Sequence, residues 1–186
     1  MDFQDFKLKF KVGILTLRSH FGKINSTLTI NKFSKINNAV LIFFPIDDNN
    51  CRIASYSFKT LNELKAKGVE VNICLSDKLQ DLVNTISCNK ITYLKNGNSI
   101  KKFNGAIDKS KRYDMIIDLN PKPIVDISEK INDLSAMYKI GFKSKISDSF
   151  YNIQLDLTDS KFLETSYGRI KNILQISWTI YYLKTI

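Results

Sequence analysis

The sequence is 186 residues long, a size that suits one domain with one sizeable core, or one domain plus an extension. Its 44% hydrophobic and 25% charged residues are those of an ordinary globular protein, and no run approaches the roughly 18 apolar residues needed to cross a bilayer. One histidine and three scattered cysteines speak against a His-based triad, a zinc site with several histidines, and a disulfide framework.

The net charge of +10 is unevenly placed: residues 1–36 hold seven Lys or Arg against Asp2 and Asp5. Such a segment suits nucleic acid, an anionic membrane surface or an acidic protein partner. Elsewhere the excess lies in lysine-rich loops, and the abundance of Lys, Asn and Ile is also what a coding bias would leave. The N-terminus lacks the apolar core and cleavage site of a signal peptide, so the expected location is cytoplasmic, with the inner face of the membrane as the surface a basic helix would meet.

In chain order, Phe3, Phe6, Phe10, Ile14, Leu17 and Phe21 recur every three or four residues, which predicts one apolar face of a basic amphipathic helix ending near Gly22. Packing on the domain or on another chain and lying on a membrane surface are both open to such a helix. Residues 26–36 read as a polar connection with a short strand. From there the chain alternates. Residues 39–44 form an apolar run closed by Pro45, as expected of a strand buried on both faces. An acidic loop precedes a helix over about 52–67, ended by Gly68, and residues 69–75 make a second strand. Ser76 is a candidate N-cap for a helix through about residue 86.

A short strand at 91–94 follows, then an Asn/Gly turn and a weak helix around 99–110. Residues 113–119 form another buried strand, 125–137 a helix, 138–140 a strand, and 151–155 a further short strand. A long helix begins near Ser160. Leu163, Tyr167, Ile170, Leu174, Trp178 and Tyr181 form one stripe, and Ile173, Ile176, Ile180 and Leu183 a second. Its last turns are apolar nearly all round, so something must cover them. Strands alternating with helices predict an α/β fold: a single Rossmann-like domain over 37–186 with a mostly parallel sheet, an N-terminal helical extension over 1–36, and a long C-terminal helix.

The stretches Phe44 to Asn50, Tyr113 to Pro121, Ile140 to Phe142 and Tyr167 to Leu174, in this order, resemble parts of the N-terminal, acceptor-side half of the heptosyltransferase-type glycosyltransferases, a family with the GT-B fold. The family's first loop has the form R-P-x-x-x-G-D, against Phe44-Pro45-Ile46-Asp47-Asp48-Asn49-Asn50 here. Its later strand reads Y-D, two apolar residues, then I-D-L-Q-G, against Tyr113-Asp114-Met115-Ile116-Ile117-Asp118-Leu119-Asn120-Pro121. A segment ending I-G-F is matched by Ile140-Gly141-Phe142, and the helix around Tyr167 to Leu174 resembles the one leading to the family's interdomain connection.

The resemblance spans about residues 37–176 and implies an acceptor-binding edge holding Asp118, Asn120 and Gly141. Departures from the pattern bear on chemistry. The family's first-loop aspartate, the expected general base on the acceptor hydroxyl, aligns with Asn50, and a carboxamide cannot accept a proton at neutral pH. The preceding glycine is Asn49, the arginine is Phe44, and the second-loop glycine is Pro121. Asp47 or Asp48 would stand in for the base if the loop were re-registered. The family binds its nucleotide-sugar donor on a C-terminal domain that this sequence does not contain, and no Gly-rich phosphate loop takes its place.

No GxGxxG follows the first strand and no GxxxxGK[ST] occurs, so no cofactor is expected. Cys51, near a helix N-terminus, is a candidate for a lowered thiol pKa or for plain packing. His20 stands alone. Basic and aromatic residues interleave over 138–145, but no recognisable DNA- or RNA-binding motif accompanies them. The leading expectation is therefore a catalytically inactive glycosyltransferase-like domain serving as a subunit or scaffold. Its protein partner would meet the N- and C-terminal helices through Phe3, Phe6, Phe10, Ile14, Leu17, Phe21, Trp178 and Tyr181. The alternatives are the acceptor half of a split, inverting glycosyltransferase completed by a donor-binding partner, and a peripheral membrane adaptor.

Overall fold

A computed structural model describes residues 36–94, 103–104, 107–157 and 162–175, together with Phe10, Gly13 and Ile14. Its centre is a seven-stranded sheet: β1 (Ala39–Phe43), β2 (Glu70–Ser76), β3 (Lys90–Leu94), β4 (Phe103–Asn104), β5 (Arg112–Asp118), β6 (Ser135–Phe142) and β7 (Ile153–Leu155). The strand order is β4-β3-β2-β1-β5-β6-β7, with β4 antiparallel to β3 and every other pairing parallel. This is the Rossmann-like α/β arrangement that the alternating pattern predicts.

β1 lies in the middle because all five of its side chains are apolar and can be buried on both faces. Alternation divides them. Val40 and Ile42, with Phe44 just beyond, enter one core; Ala39, Leu41 and Phe43 enter the other. The first core is roofed by α1 (Asp48–Ser57), α2 (Asn62–Ala66) and α4 (Leu163–Leu174), with α1 packed on α4. The second is roofed by α3 (Val125–Asp133) and the segment holding Ile146, Phe150 and Tyr151. Tyr167 heads the fully buried side chains by volume, its ring 5.8 Å from Phe58 and 6.2 Å from Phe142. Burying one large apolar side chain of this kind contributes roughly 1.5–3 kcal/mol.

Several boundaries differ from the sequence expectation. The helix expected from Arg52 starts at Asp48 and breaks at Phe58 (φ −104°, ψ 21°), resuming through a 3-10 turn at Lys59–Leu61 and α2. Gly68, at φ +78°, ends it as expected, in a conformation that other residues enter only with strain. Ser76 is the last residue of β2 and not a cap; Asp77–Thr85 forms 3-10 turns with a kink at Leu79 (φ −109°, ψ 24°).

Of the weak helix expected around 99–110, Phe103 and Asn104 instead pair with β3, and 99–102 and 105–106 lie outside the described residues. Nearby, the Asp108 carboxylate accepts from the Ser110 backbone N–H and hydroxyl at 2.9 and 2.6 Å. A side chain that satisfies the backbone in this way competes with helix. α3 ends at Asp133, four residues early, because Ser135 to Ile140 are taken into register with β5. Pairing along a buried strand overrides the helical pattern through Met137.

Phe10 and Ile14 are helical and 63% and 40% exposed. The remaining stripe residues Phe3, Phe6, Leu17 and Phe21, the connection at 26–35, and Trp178 and Tyr181 lie outside the described residues. Among the described residues, no helix is long and apolar enough to cross a membrane.

Candidate functional site

From β1 the chain proceeds outward through β2, β3 and β4, and β5 then returns to the other side of β1. The carboxyl ends of β1 and β5 thus flank the point where the order reverses, which is where open α/β sheets form a ligand crevice. Both segments singled out from sequence, 44–50 and 118–121, emerge there. They are tied together: the Leu119 N–H donates to the Phe43 carbonyl at 2.9 Å, and the Ile46 N–H to Asn120 Oδ1 at 3.1 Å.

Asp47 is the N-cap of α1, with extended backbone (φ −86°, ψ 144°). Its Oδ1 accepts from the Asn50 backbone N–H and its Oδ2 from Asn50 Nδ2, each at 2.9 Å. One residue thus satisfies an orphan donor of the first turn and holds the Asn50 amide in place. Asp48, in that first turn, pairs with Arg52 one turn on at 3.1 Å, with both side chains more than half exposed. An exposed pair of this spacing orients side chains more than it stabilises.

Asp118 lies below this rim and is 1% exposed. Its Oδ1 accepts from the Asn120 backbone N–H at 3.0 Å and from Asn120 Nδ2 at 2.6 Å; its Oδ2 accepts from the Tyr151 hydroxyl at 2.6 Å. Burial pushes this carboxyl above its ordinary value, against the pull of the Tyr151 and Asn120 hydrogen bonds. The Tyr151 hydroxyl also lies 2.9 Å from Ser128 Oγ, and burial followed by the Asp118 charge pushes the phenol upward. Gly141 lies against the same ring: a Cβ built there would stand 2.6 Å from Tyr151 Cε2. Asp118 is thus joined to Asn120 through one oxygen and to Tyr151 through the other, and Gly141 lies against the Tyr151 ring.

Tyr167 fastens the second loop from the other core, its hydroxyl donating to the Leu119 carbonyl at 2.8 Å. Cys51 is fully buried, and burial with the nearby Asp47 and Asp48 charges pushes its thiol up to about 12, so the helix N-terminus does not activate it. Cys74 is a core residue, as expected. Among the described residues, no three His, Cys, Asp or Glu side chains are grouped so as to hold a metal ion.

The edge therefore presents Asp47, Asp48 and Asn50, with each aspartate already engaged by a neighbour, over a buried carboxylate. Sequence reasoning missed Tyr151, Ser128 and the Tyr167 hydroxyl. Their partners stand 23 to 48 residues away, so no local spacing could have revealed them.

No protein-family model matches the sequence, and no curated protein matches it. Solved structures do. The glycosyl transferase family 9 protein from Veillonella parvula DSM 2008 is 14% identical, with a TM-score of 0.53 over 75% of this chain and 41% of its own. The E. coli heptosyltransferase WaaC with ADP is 12% identical, with a TM-score of 0.50 over 75% of this chain and 48% of its own. The chain spans less than half the length of either, and over three quarters of its own length it shares the fold of glycosyltransferase family 9 structures.

Proposed function

We propose that this chain is a catalytically silent glycosyltransferase-like domain that works by binding, as a subunit or scaffold of a larger assembly. One observation carries the reading. Where the resemblance calls for the base, the side chain is the Asn50 amide, and it donates to Asp47 Oδ2 at 2.9 Å. A carboxamide cannot take a proton from an acceptor hydroxyl, and the neighbouring carboxylate that could is occupied as a helix cap. Asp118 is walled off beneath Tyr151. The partner would meet the terminal helices; among their described residues Ile14 is 40% exposed.

A second reading is an inverting half-enzyme that needs a donor-binding partner. It is favoured by the exposure of the Asp48 carboxylate at the rim. The test is sugar transfer from a panel of nucleotide sugars to lipid and saccharide acceptors, run with the full chain alone and with proteins that co-purify from its source. Silence under every pairing, alongside a stable stoichiometric complex, is the expected result. Transfer that disappears in Asp47→Asn or Asp48→Asn would overturn it in favour of the half-enzyme.

A further inference from the structure

Beneath the rim a line of hydrogen bonds crosses from α3 to the first loop. Ser128 Oγ meets the Tyr151 hydroxyl at 2.9 Å, and that hydroxyl donates to Asp118 Oδ2 at 2.6 Å. Asp118 Oδ1 accepts from Asn120 Nδ2 at 2.6 Å, and Asn120 Oδ1 accepts from the Ile46 N–H at 3.1 Å. The one hydrogen of Tyr151 is committed to the carboxylate, so Ser128 is the donor to the phenol oxygen. Ser128, Tyr151, Asp118 and Asn120 are all buried, so each depends on the others for its partners.

The two carboxylate oxygens are not equivalent. Oδ1 faces the backbone and side-chain N–H groups of Asn120, neither of which can accept a hydrogen. Oδ2 faces a hydroxyl, which can accept as readily as it donates. Among the described residues, no cation holds the ionised form. The buried residues of α3 are Val125, Ile127, Ser128 and Ile131; β1 contributes Phe43, in register with Asp118, and β6 contributes Gly141 against the Tyr151 ring. The groups that titrate nearby are the phenols Tyr151 and Tyr167, and the charges of Asp47 and Glu164 act on Tyr167 rather than on Asp118. Burial accordingly pushes the Asp118 carboxyl above its ordinary value.

We propose that Ser128, Tyr151 and Asp118 form a reversible hydrogen-bond chain, a proton-sensitive device that sets how firmly Asn120 holds the first loop. Below its titration midpoint Asp118 takes a proton from solvent onto Oδ2, and the new O–H donates to the Tyr151 oxygen. The Tyr151 hydrogen turns to Ser128 Oγ. The Ser128 hydrogen turns to the Ile124 carbonyl, the acceptor one turn back in its own helix. Only the new O–H bond forms, no other covalent bond changes, and no member of the chain is stranded. The cost falls on Oδ1: its bonds from Asn120 lose the help of a full charge, so the amide that fixes Ile46 is held less firmly. The device goes beyond the function proposed above and does not depend on it, because it is a property of the chain alone.

The test is a pH titration of the full, ¹³C,¹⁵N-labelled chain by NMR, reading the Asp118 carboxyl carbon and the Ile46 amide. Both are expected to move with one midpoint. Asp47 and Asp48 lie on the same loop as Ile46, so Asp118→Asn separates their part of its response and should abolish the component at the Asp118 midpoint. Asn120→Ala should abolish that component too, while the Asp118 carbon still titrates. Two further variants distinguish a reversible chain from a fixed brace. Tyr151→Phe strips a donor from the ionised form and should raise the Asp118 midpoint. Ser128→Ala strips the acceptor that the Tyr151 hydrogen needs in the protonated form, and should lower it. A midpoint that fails to fall in Ser128→Ala would overturn the proposal, since Ser128 would then serve only as a donor to the ionised form. So would different midpoints for Asp118 and Ile46 in the wild type, a comparison that stands even if the variants fail to fold. A carboxyl carbon shift that stays constant across the pH range of the folded chain would overturn it as well.

Discussion

The Tyr151 hydroxyl donates to Asp118 Oδ2 at 2.6 Å, joining the segment before β7 to the last residue of β5 across 33 residues of chain. The contact lets a carboxylate sit 1% exposed with three donors and no cation among its hydrogen-bond partners. Tyr151→Phe removes one donor and leaves Ser128 Oγ without its phenol partner. We expect a loss of about 1–3 kcal/mol in urea unfolding, the cost of stranding buried polar groups. A change within experimental error would mean that solvent reaches the carboxylate.

Asp118 also gives a pH signature. Burial raises its folded-state value above that of the unfolded chain, so between the two values the folded protein holds more protons. Its contribution to stability is then highest in acid and declines as pH rises from about 3.9 through the folded value. Asp118→Asn abolishes this titration. The unfolding free energy of the variant minus that of the wild type should therefore climb from acid toward neutral pH. Carboxyls held low elsewhere, Glu70 by Lys111 and Asp108 by Ser110, cancel in the difference. A difference that falls as pH rises would contradict the assignment.

Gly141 is required by a neighbour rather than by its own backbone. A Cβ there meets the Tyr151 ring at 2.6–2.7 Å, and the ring cannot retreat without losing Asp118. Gly141→Ala should cost about 1–3 kcal/mol as an overpacked core substitution. In a Tyr151→Ala background the same change should cost much less. Additive losses in a double-mutant cycle would rule out the proposed contact.

At the rim, Asp47→Ala should destabilise by about 0.5–2 kcal/mol through loss of the α1 cap. Asn50→Asp restores the acid that the resemblance calls for, but sets it against Asp47 at hydrogen-bond distance. Two carboxylates so close cannot both ionise without cost, so one titrates high. Melting temperature should drop at neutral pH and recover toward wild type near about pH 4, as one carboxylate becomes protonated. An unchanged melting temperature at neutral pH would mean that the Asp47–Asn50 contact is not held in solution.

Thiol accessibility offers a quick check on the core. Cys51 and Cys74 are buried, with thiols pushed upward by burial, whereas Cys88 is only half-buried. Under native conditions near neutral pH, Cys88 should be modified first by an aromatic disulfide reagent. The other two should react only on the timescale of unfolding, and all three should react at once in denaturant. Rapid labelling of Cys51 in the native protein would show the first turn of α1 to be open.

The sequence by itself determined the layers. Apolar runs such as Ala39 to Phe43, alternating with helical segments, fit strands buried on both faces of a parallel sheet, and the glycine at 68 marked its helix end because side chains enter that backbone only with strain. The segments at 44–50 and 118–121 were also legible as neighbours, since both follow buried strands. What only the tertiary structure decided was the use of each polar group. Asp47 could be read as base or cap, and the answer depends on where the Asn50 amide lies. Asp118 could face ligand or core, and that depends on a tyrosine 33 residues on. Helix gave way to strand at 135–137 for a similar reason, because pairing with β5 outweighs a local period. Periodicity records which faces are buried, whereas hydrogen bonds between distant segments are set only when the chain closes on itself.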